Sequence, residues 1–253
     1  IVSVKFGAMR DPVGRFIGFD CRPNAVKSAL TYSLRRLKTD YIDVYQPSRL
    51  DPNVPIEDTV GAIKDLIQAG YVRHLGLSEM PLDAIERAHK VHPVAAFEVE
   101  YSLLVRGLEA RTLPRLRELG IGVVPYGVFT HGLLSGRVRS RDEVAKPGDL
   151  RGHLPMFSPE NFAHNAALVA KFTDYAKAKG LTPVQLAVAW VRAQGDDLAP
   201  VLGARNRESL NGILAAADVT LSSADAADLA RLVPHTEVRG DRYPPEQMRM
   251  VHR

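Results

Sequence analysis

The sequence predicts an α/β fold on a parallel sheet, of (β/α)8 barrel type rather than doubly wound. Three observations point there. Short β-branched runs alternate with longer segments of helical spacing. No hairpin signal stands between successive strands, and the chain holds no G-x-G-x-x-G after its first strand, as a doubly wound dinucleotide fold requires. The 253 residues, 45% apolar and 25% charged, suffice for a sizeable core.

The elements follow in order. Ile1–Gly7 reads as a strand that Gly7 ends, and Asn24 is set to cap a helix with Val26, Leu30, Leu34 and Leu37 on one face. Ile42–Tyr45 is a strand stopped by Pro47. Pro55 opens a helix with Val60, Ile63 and Ile67 as its buried stripe and Gly70 at its close. Strands over Val72–Leu77, Ala95–Tyr101 and Gly122–Tyr126 alternate with helices over Leu82–Val91 and Leu108–Leu119. A polar connection, Ser135–Glu160, carries four breakers: Pro147, Gly148, Pro155 and Pro159. Helices over Asn161–Lys179 and Pro183–Gln194 precede a sixth strand, Ala199–Leu202, and helices over Arg207–Ala217 and Ser223–Leu232 end the pattern. No composition shift marks a boundary, so residues 1–253 read as one domain.

Thirty-three basic residues against 29 acidic give a net charge of +4 with no basic run, and the basic positions do not interleave with aromatics. That argues against a nucleic-acid surface. No apolar run is long enough for a membrane span. A single cysteine, Cys21, rules out an internal disulfide and a cysteine-based zinc site and fits a reducing cytoplasm. His89 and His92 share a helix end without a third ligand, so no metal site is expected.

Asp40–Glu57 (DYIDVYQPSRLDPNVPIE) makes the barrel specific, because it resembles the fourth strand and following helix of the aldo-keto reductase family. Ala69–Glu79 (AGYVRHLGLSE), Glu100–Leu103 (EYSL), Leu119–Gly136 (LGIGVVPYGVFTHGLLSG) and Val201–Asn206 (VLGARN) follow in the family's order. The tail Arg239–Met248 (RGDRYPPEQM) is similar to the bacterial branch related to pyridoxal reductases. The resemblance implies a closed eight-stranded barrel of which six βα units are present. Ile1 then begins the third strand, and the chain, which opens inside an apolar run, reads as lacking its N-terminal part.

The resemblance also implies a chemistry: reduction of a small aldehyde or ketone by hydride from NADPH. The family uses an Asp–Tyr–Lys–His set in which the lysine lowers the tyrosine pKa. The lysine matches Lys5, Ser48 stands where the histidine would be, and the Asp and Tyr belong to the units not seen here. Ser48 can donate a hydrogen bond but cannot titrate near neutral pH.

Ser78 and Glu79 match the positions that hold the nicotinamide carboxamide. Glu98 replaces the usual Gln there, and its alternative is a pairing with Arg106 or another base. Tyr126 matches the aromatic that stacks on the nicotinamide, and Gly127–Gly132, with Phe129 and His131, the turn that wraps the pyrophosphate. Gly203, Arg205, Asn206, Arg207 and Ser209, at the start of a helix, suit a ribose 2′-phosphate and so NADP(H). The family's adenine-holding Glu and Asn are Gly212 and Ile213 here. Two alternatives stay open: an NADP-binding regulatory module with little turnover, like channel beta subunits, and an inactive fragment. The oligomeric state is open too.

Overall fold

The computed structural model describes residues 1–251. Five strands form a parallel sheet in the order β1 (Ser3–Phe6), β4 (Ile42–Pro47), β5 (Val72–Ser78), β6 (Val94–Glu100), β7 (Gly122–Tyr126), with helices between them, and a two-stranded antiparallel hairpin forms a separate sheet. The described residues divide into two compact units: residues 1–99, 111–122 and 250–251, and residues 100–110 and 123–249.

In the first unit, β1 (Ser3–Phe6) ends at Gly7, whose φ of +95° is open only to glycine at low cost. β2 (Ala8–Arg10) and β3 (Phe16–Phe19) then form a hairpin that the sequence pattern did not predict. Its tip is set by Asp11, whose Oδ1 accepts from the amides of Val13 and Arg15, a local turn chemistry with little apolar alternation around it. Helix α1 (Pro23–Leu37) starts on Arg22 with Pro23 in its first turn, so the expected cap at Asn24 is displaced by two residues. Proline at N1 has no amide to leave unpaired, which fixes the start without a side-chain cap.

β4 (Ile42–Pro47) runs two residues further than predicted, through Pro47. α2 (Ile56–Gln68) buries Val60, Ile63 and Leu66, with Leu66 in place of Ile67 on the inner stripe. β5 (Val72–Ser78), α3 (Leu82–Val91), β6 (Val94–Glu100) and α4 (Thr112–Glu118) complete the alternation. α4 starts four residues later than the pattern predicted, because residues 108–111 are turns. The core of this unit is Ile42, Tyr45, Leu75, Leu77, Ile85 and Phe97, all fully buried.

In the second unit, β7 (Gly122–Tyr126) leads into a 3-10 turn at Thr130–Gly132, and short 3-10 turns carry the polar connection. α5 (Pro159–Ala178) and α6 (Pro183–Arg192) follow, the latter opened by a reciprocal cap between Thr182 and Gln185. The expected sixth strand at Ala199–Leu202 is extended chain rather than a strand. Val123 N donates to Asp197 O, Ala199 N to Val123 O and Val201 N to Pro125 O, but Pro125 on β7 has no amide to donate back to this segment, and the pairing stops at one bridge between Val123 and Leu198. α7 (Arg207–Leu214), α8 (Ser223–Leu232) and a single turn, α9 (Pro245–Met248), end the chain. Tyr101, Phe157, Phe172 and Trp190 are its largest buried side chains.

Candidate active site and cofactor cleft

The parallel register of the first unit sets Lys5 on β1 beside Gln46 on β4, and Ser78 on β5 beside Glu98 on β6. All four stand at the C-terminal ends of their strands, the end at which α/β barrels build their chemistry. Lys5 Nζ forms an ion pair with Glu98 Oε1, and Gln46 Nε2 donates to Glu98 Oε2 at 2.8 Å and to Ser3 Oγ at 3.1 Å. Glu98 is thus paired with a base, and that base is Lys5. Arg106, the other candidate, forms a two-pronged pair with Glu109 instead.

Gln46 reaches Glu98 across β5 because position 76 is glycine. A Cβ there would lie 2.7 Å from Val44 Cγ1 and 3.0 Å from Gln46 Oε1. Sequence reasoning missed Gln46, since its role depends on which strands adjoin and on the gap at Gly76.

Ser78 is completely buried, and its Oγ makes no hydrogen bond to any described residue. A buried hydroxyl without a partner costs about 1–3 kcal/mol, so one held at a strand end points to a ligand group. Ser48 Oγ is in the same condition, while its amide donates to Phe6 O. Glu79 is buried in the left-handed region at φ +48°, its amide donating to Glu98 O at 3.0 Å. Cys21, buried beside Asp51 and Asp20, has its thiol pushed up to about 12, chiefly by burial, which removes it as a nucleophile.

The second unit holds a cleft of about 1110 Å³. Tyr126, Gly127, Phe129, His131 and Gly132 line one part of it, and Gly203, Arg205 and Ser209 another. Gly127 (φ +65°) packs on the Glu100 side chain, where a Cβ would meet Cγ at 2.9 Å. Thr130 and His131 both have positive φ, at 44° and 53°, before Gly132 at 105°. Two successive non-glycine residues in that region store strain of a kind concentrated at ligand sites.

His131 is held below the ordinary imidazole value, first by burial and then by the Arg151 charge. Its Nε2, 3.8 Å from Glu100 Oε1, is beyond hydrogen-bond reach, so burial wins and the ring is neutral at pH 7. Tyr126 Oη stands 3.1 Å from Tyr243 Oη.

Asn206 and Arg207 do not line the cleft. Asn206 instead caps α7, its Oδ1 accepting from Ser209 N at 2.8 Å, and Arg207 is exposed. Arg137, Lys146 and Arg151 are cationic lining residues the sequence reading missed, and Arg137 is the one beside Ser209. It donates to Ser209 Oγ at 2.6 Å from a connection with no readable pattern. Gly212 and Ile213 also line the cleft. A turn with glycines at positive φ, a capped helix start and Arg137, Arg151 and Arg205 suit a phosphate-bearing dinucleotide.

A parallel sheet with helical crossovers and residues gathered at its C-terminal strand ends define an α/β protein of the barrel type. The chain belongs to the aldo/keto reductase family, whose model matches residues 1–234. It is 39% identical over 221 residues to a probable aldo-keto reductase 1 from Glycine max, a match that takes in 87% of this chain. It spans 63% of that relative's length. The glycerol dehydrogenase of Gluconobacter oxydans superposes with a TM-score of 0.84 at 28% identity, over 92% of this chain and 73% of that one. A thermostable aldo-keto reductase crystallised with the inhibitor epalrestat shares the fold, at a TM-score of 0.66, 22% identity and coverage of 84% and 67%.

Proposed function

We propose that this protein reduces an aldehyde or ketone to an alcohol with NADPH, as one barrel domain working in the cytoplasm. The observation that carries the reading is the second unit's cleft, where the Gly127–Gly132 turn and Arg205 at the start of α7 line one cavity. When bound, the cofactor supplies hydride, and the rest of the chemistry belongs to the protein.

Each group has a role in that reading. The glycine turn offers backbone amides to the pyrophosphate, and Arg205 with Arg137 and the α7 start favours a 2′-phosphate, hence NADP over NAD. Tyr126 supplies the aromatic face for the nicotinamide. Ser78 Oγ, buried and unpartnered among the described residues, is available to a carboxamide, with Glu79 and Glu98 as acceptors. Lys5, by the family resemblance, sets the acidity of the tyrosine that protonates the carbonyl oxygen, and Glu98 holds that ammonium in place. Ser48 donates to the carbonyl oxygen where a histidine would otherwise stand.

One observation favours a second reading, an NADP-binding module with little turnover. Lys5, the charge that would polarise the tyrosine, is already engaged by Glu98. Mixing the natural full-length protein with NADPH and a panel of aldehydes and ketones separates the two. Loss of nicotinamide absorbance supports the reductase. Tight NADPH binding without turnover on any carbonyl supports the binding module, and absence of binding overturns both.

A further inference from the structure

Within the second unit, the dipeptide Arg242–Tyr243 of the C-terminal segment reaches Glu100 and Tyr126, at the start of the Tyr126–Gly132 turn. Arg242, only 10% exposed, reaches Glu100 Oε2 at 3.4 Å, and the Glu100 side chain, 1% exposed, is the surface on which Gly127 packs. Tyr243 places its hydroxyl 3.1 Å from that of Tyr126. Neighbouring residues in the tail thus touch neighbouring residues in the turn, one through a buried carboxylate and one directly.

The tail around this dipeptide is itself fixed. Asn165 holds Arg239 by both of its backbone groups, accepting from N at 2.9 Å and donating to O at 2.8 Å. His164 Nε2 lies 2.8 Å from Glu237 O. Gly240, at φ +84°, passes so near Pro155 that a Cβ would lie 2.6 Å from its carbonyl. A segment tied at 237, 239 and 240 cannot slide without moving Arg242 and Tyr243.

We propose that Arg242 and Tyr243 are positioning residues for the Tyr126–Gly132 turn: the tail sets the orientation of the Tyr126 ring and the pitch of the turn that follows it. This rests on the reading of that turn as the dinucleotide site. Arg242 braces the carboxylate on which Gly127 packs, and the strained φ values at Thr130 and His131 persist only where surroundings over-determine them. The tail braces the start of that turn, at Glu100 and Tyr126. Substrate range would then respond to the tail through the cofactor ring, with no tail residue having to touch the substrate.

Full-length Tyr243→Phe, Arg242→Met and Arg242→Lys proteins test this. Two ligands are titrated, NADPH and adenosine 2′,5′-bisphosphate, which reaches only the Arg205 end of the cleft. For Tyr243→Phe we expect NADPH to bind about fivefold more weakly, the worth of one neutral hydrogen bond, with the bisphosphate unchanged. Amide exchange across 126–132 should quicken in Arg242→Met and return toward the parent rate in Arg242→Lys. Equal weakening of both ligands would mark a merely structural role and overturn the proposal, as would parental NADPH binding in Tyr243→Phe. If the parent binds neither ligand, the cofactor reading fails by itself. Exchange across 126–132 then decides the tail's role, and unchanged rates in Arg242→Met overturn it. Should Arg242→Met not fold, Tyr243→Phe and Arg242→Lys carry the same comparison.

Discussion

At the scale of single residues, the site's chemistry is written in groups left unsatisfied. Ser78 shows why. Its hydroxyl is buried with no protein partner among the described residues, so the folded protein bears a desolvation cost that a ligand can relieve. Ser78→Ala should therefore leave thermal stability within about 0.5 kcal/mol of the parent or raise it, while weakening NADPH binding several-fold. Melting and a binding titration check it, and a large fall in stability would show that the hydroxyl is bonded in the native protein. Lys5 and Ser78 were singled out through the family resemblance, and the strand pattern by itself marked only that a polar residue stands near the end of an apolar run. Gln46 was not, because its meaning comes from Gly76 on the neighbouring strand and from Glu98 one strand beyond. The partner of Glu98 was open for the same reason: the pattern marks strand ends but not which side chains meet across them.

At the scale of elements, helix spacing and strand runs located most of the architecture, and misses fell where local chemistry overrode pattern. The β2–β3 hairpin is set by Asp11 and by glycines rather than by apolar alternation. The extended segment at Ala199–Leu202 fails as a strand because its neighbour β7 lacks one amide, at Pro125. α7 is the element that joins stability to the site. Asn206 was expected to face a phosphate, yet its side chain caps the helix.

Asn206→Ala should then cost about 1 kcal/mol of stability. Asn206→Asp should keep the cap, since aspartate serves as well there, while its charge beside Arg205 and the helix start repels a 2′-phosphate. The expected outcome is a parent-like melting temperature with at least tenfold weaker NADPH binding and little change for NADH. Denaturant unfolding and paired titrations read the two effects apart. If the Asp variant melts like the Ala variant, the capping role is wrong.

At the scale of the whole molecule, the charge balance of +4 says little, and the positions of individual ionisable groups say more. His131 is held below the ordinary imidazole value by burial and by Arg151, so the folded chain refuses a proton that the unfolded chain accepts. The sign follows from that difference. Above the unfolded value near 6.5 both states are neutral and stability is independent of this group. As pH falls below it, the unfolded state gains protons first and stability declines, by at most about 1.4 kcal/mol per pH unit, until the folded ring also titrates. His92, depressed by its burial and by Lys64, acts in the same direction from a more exposed position and contributes less. His131→Asn removes the titration and suits the positive φ at this position, which asparagine tolerates better than most residues. Urea unfolding of the parent should therefore show stability falling from pH 6.5 toward 5, and the Asn variant a flatter profile over that window. Parallel profiles would mean that His131 takes up its proton in the folded protein, drawn by Glu100, and that the charge of this turn, with its affinity for a phosphate, rises on acidification.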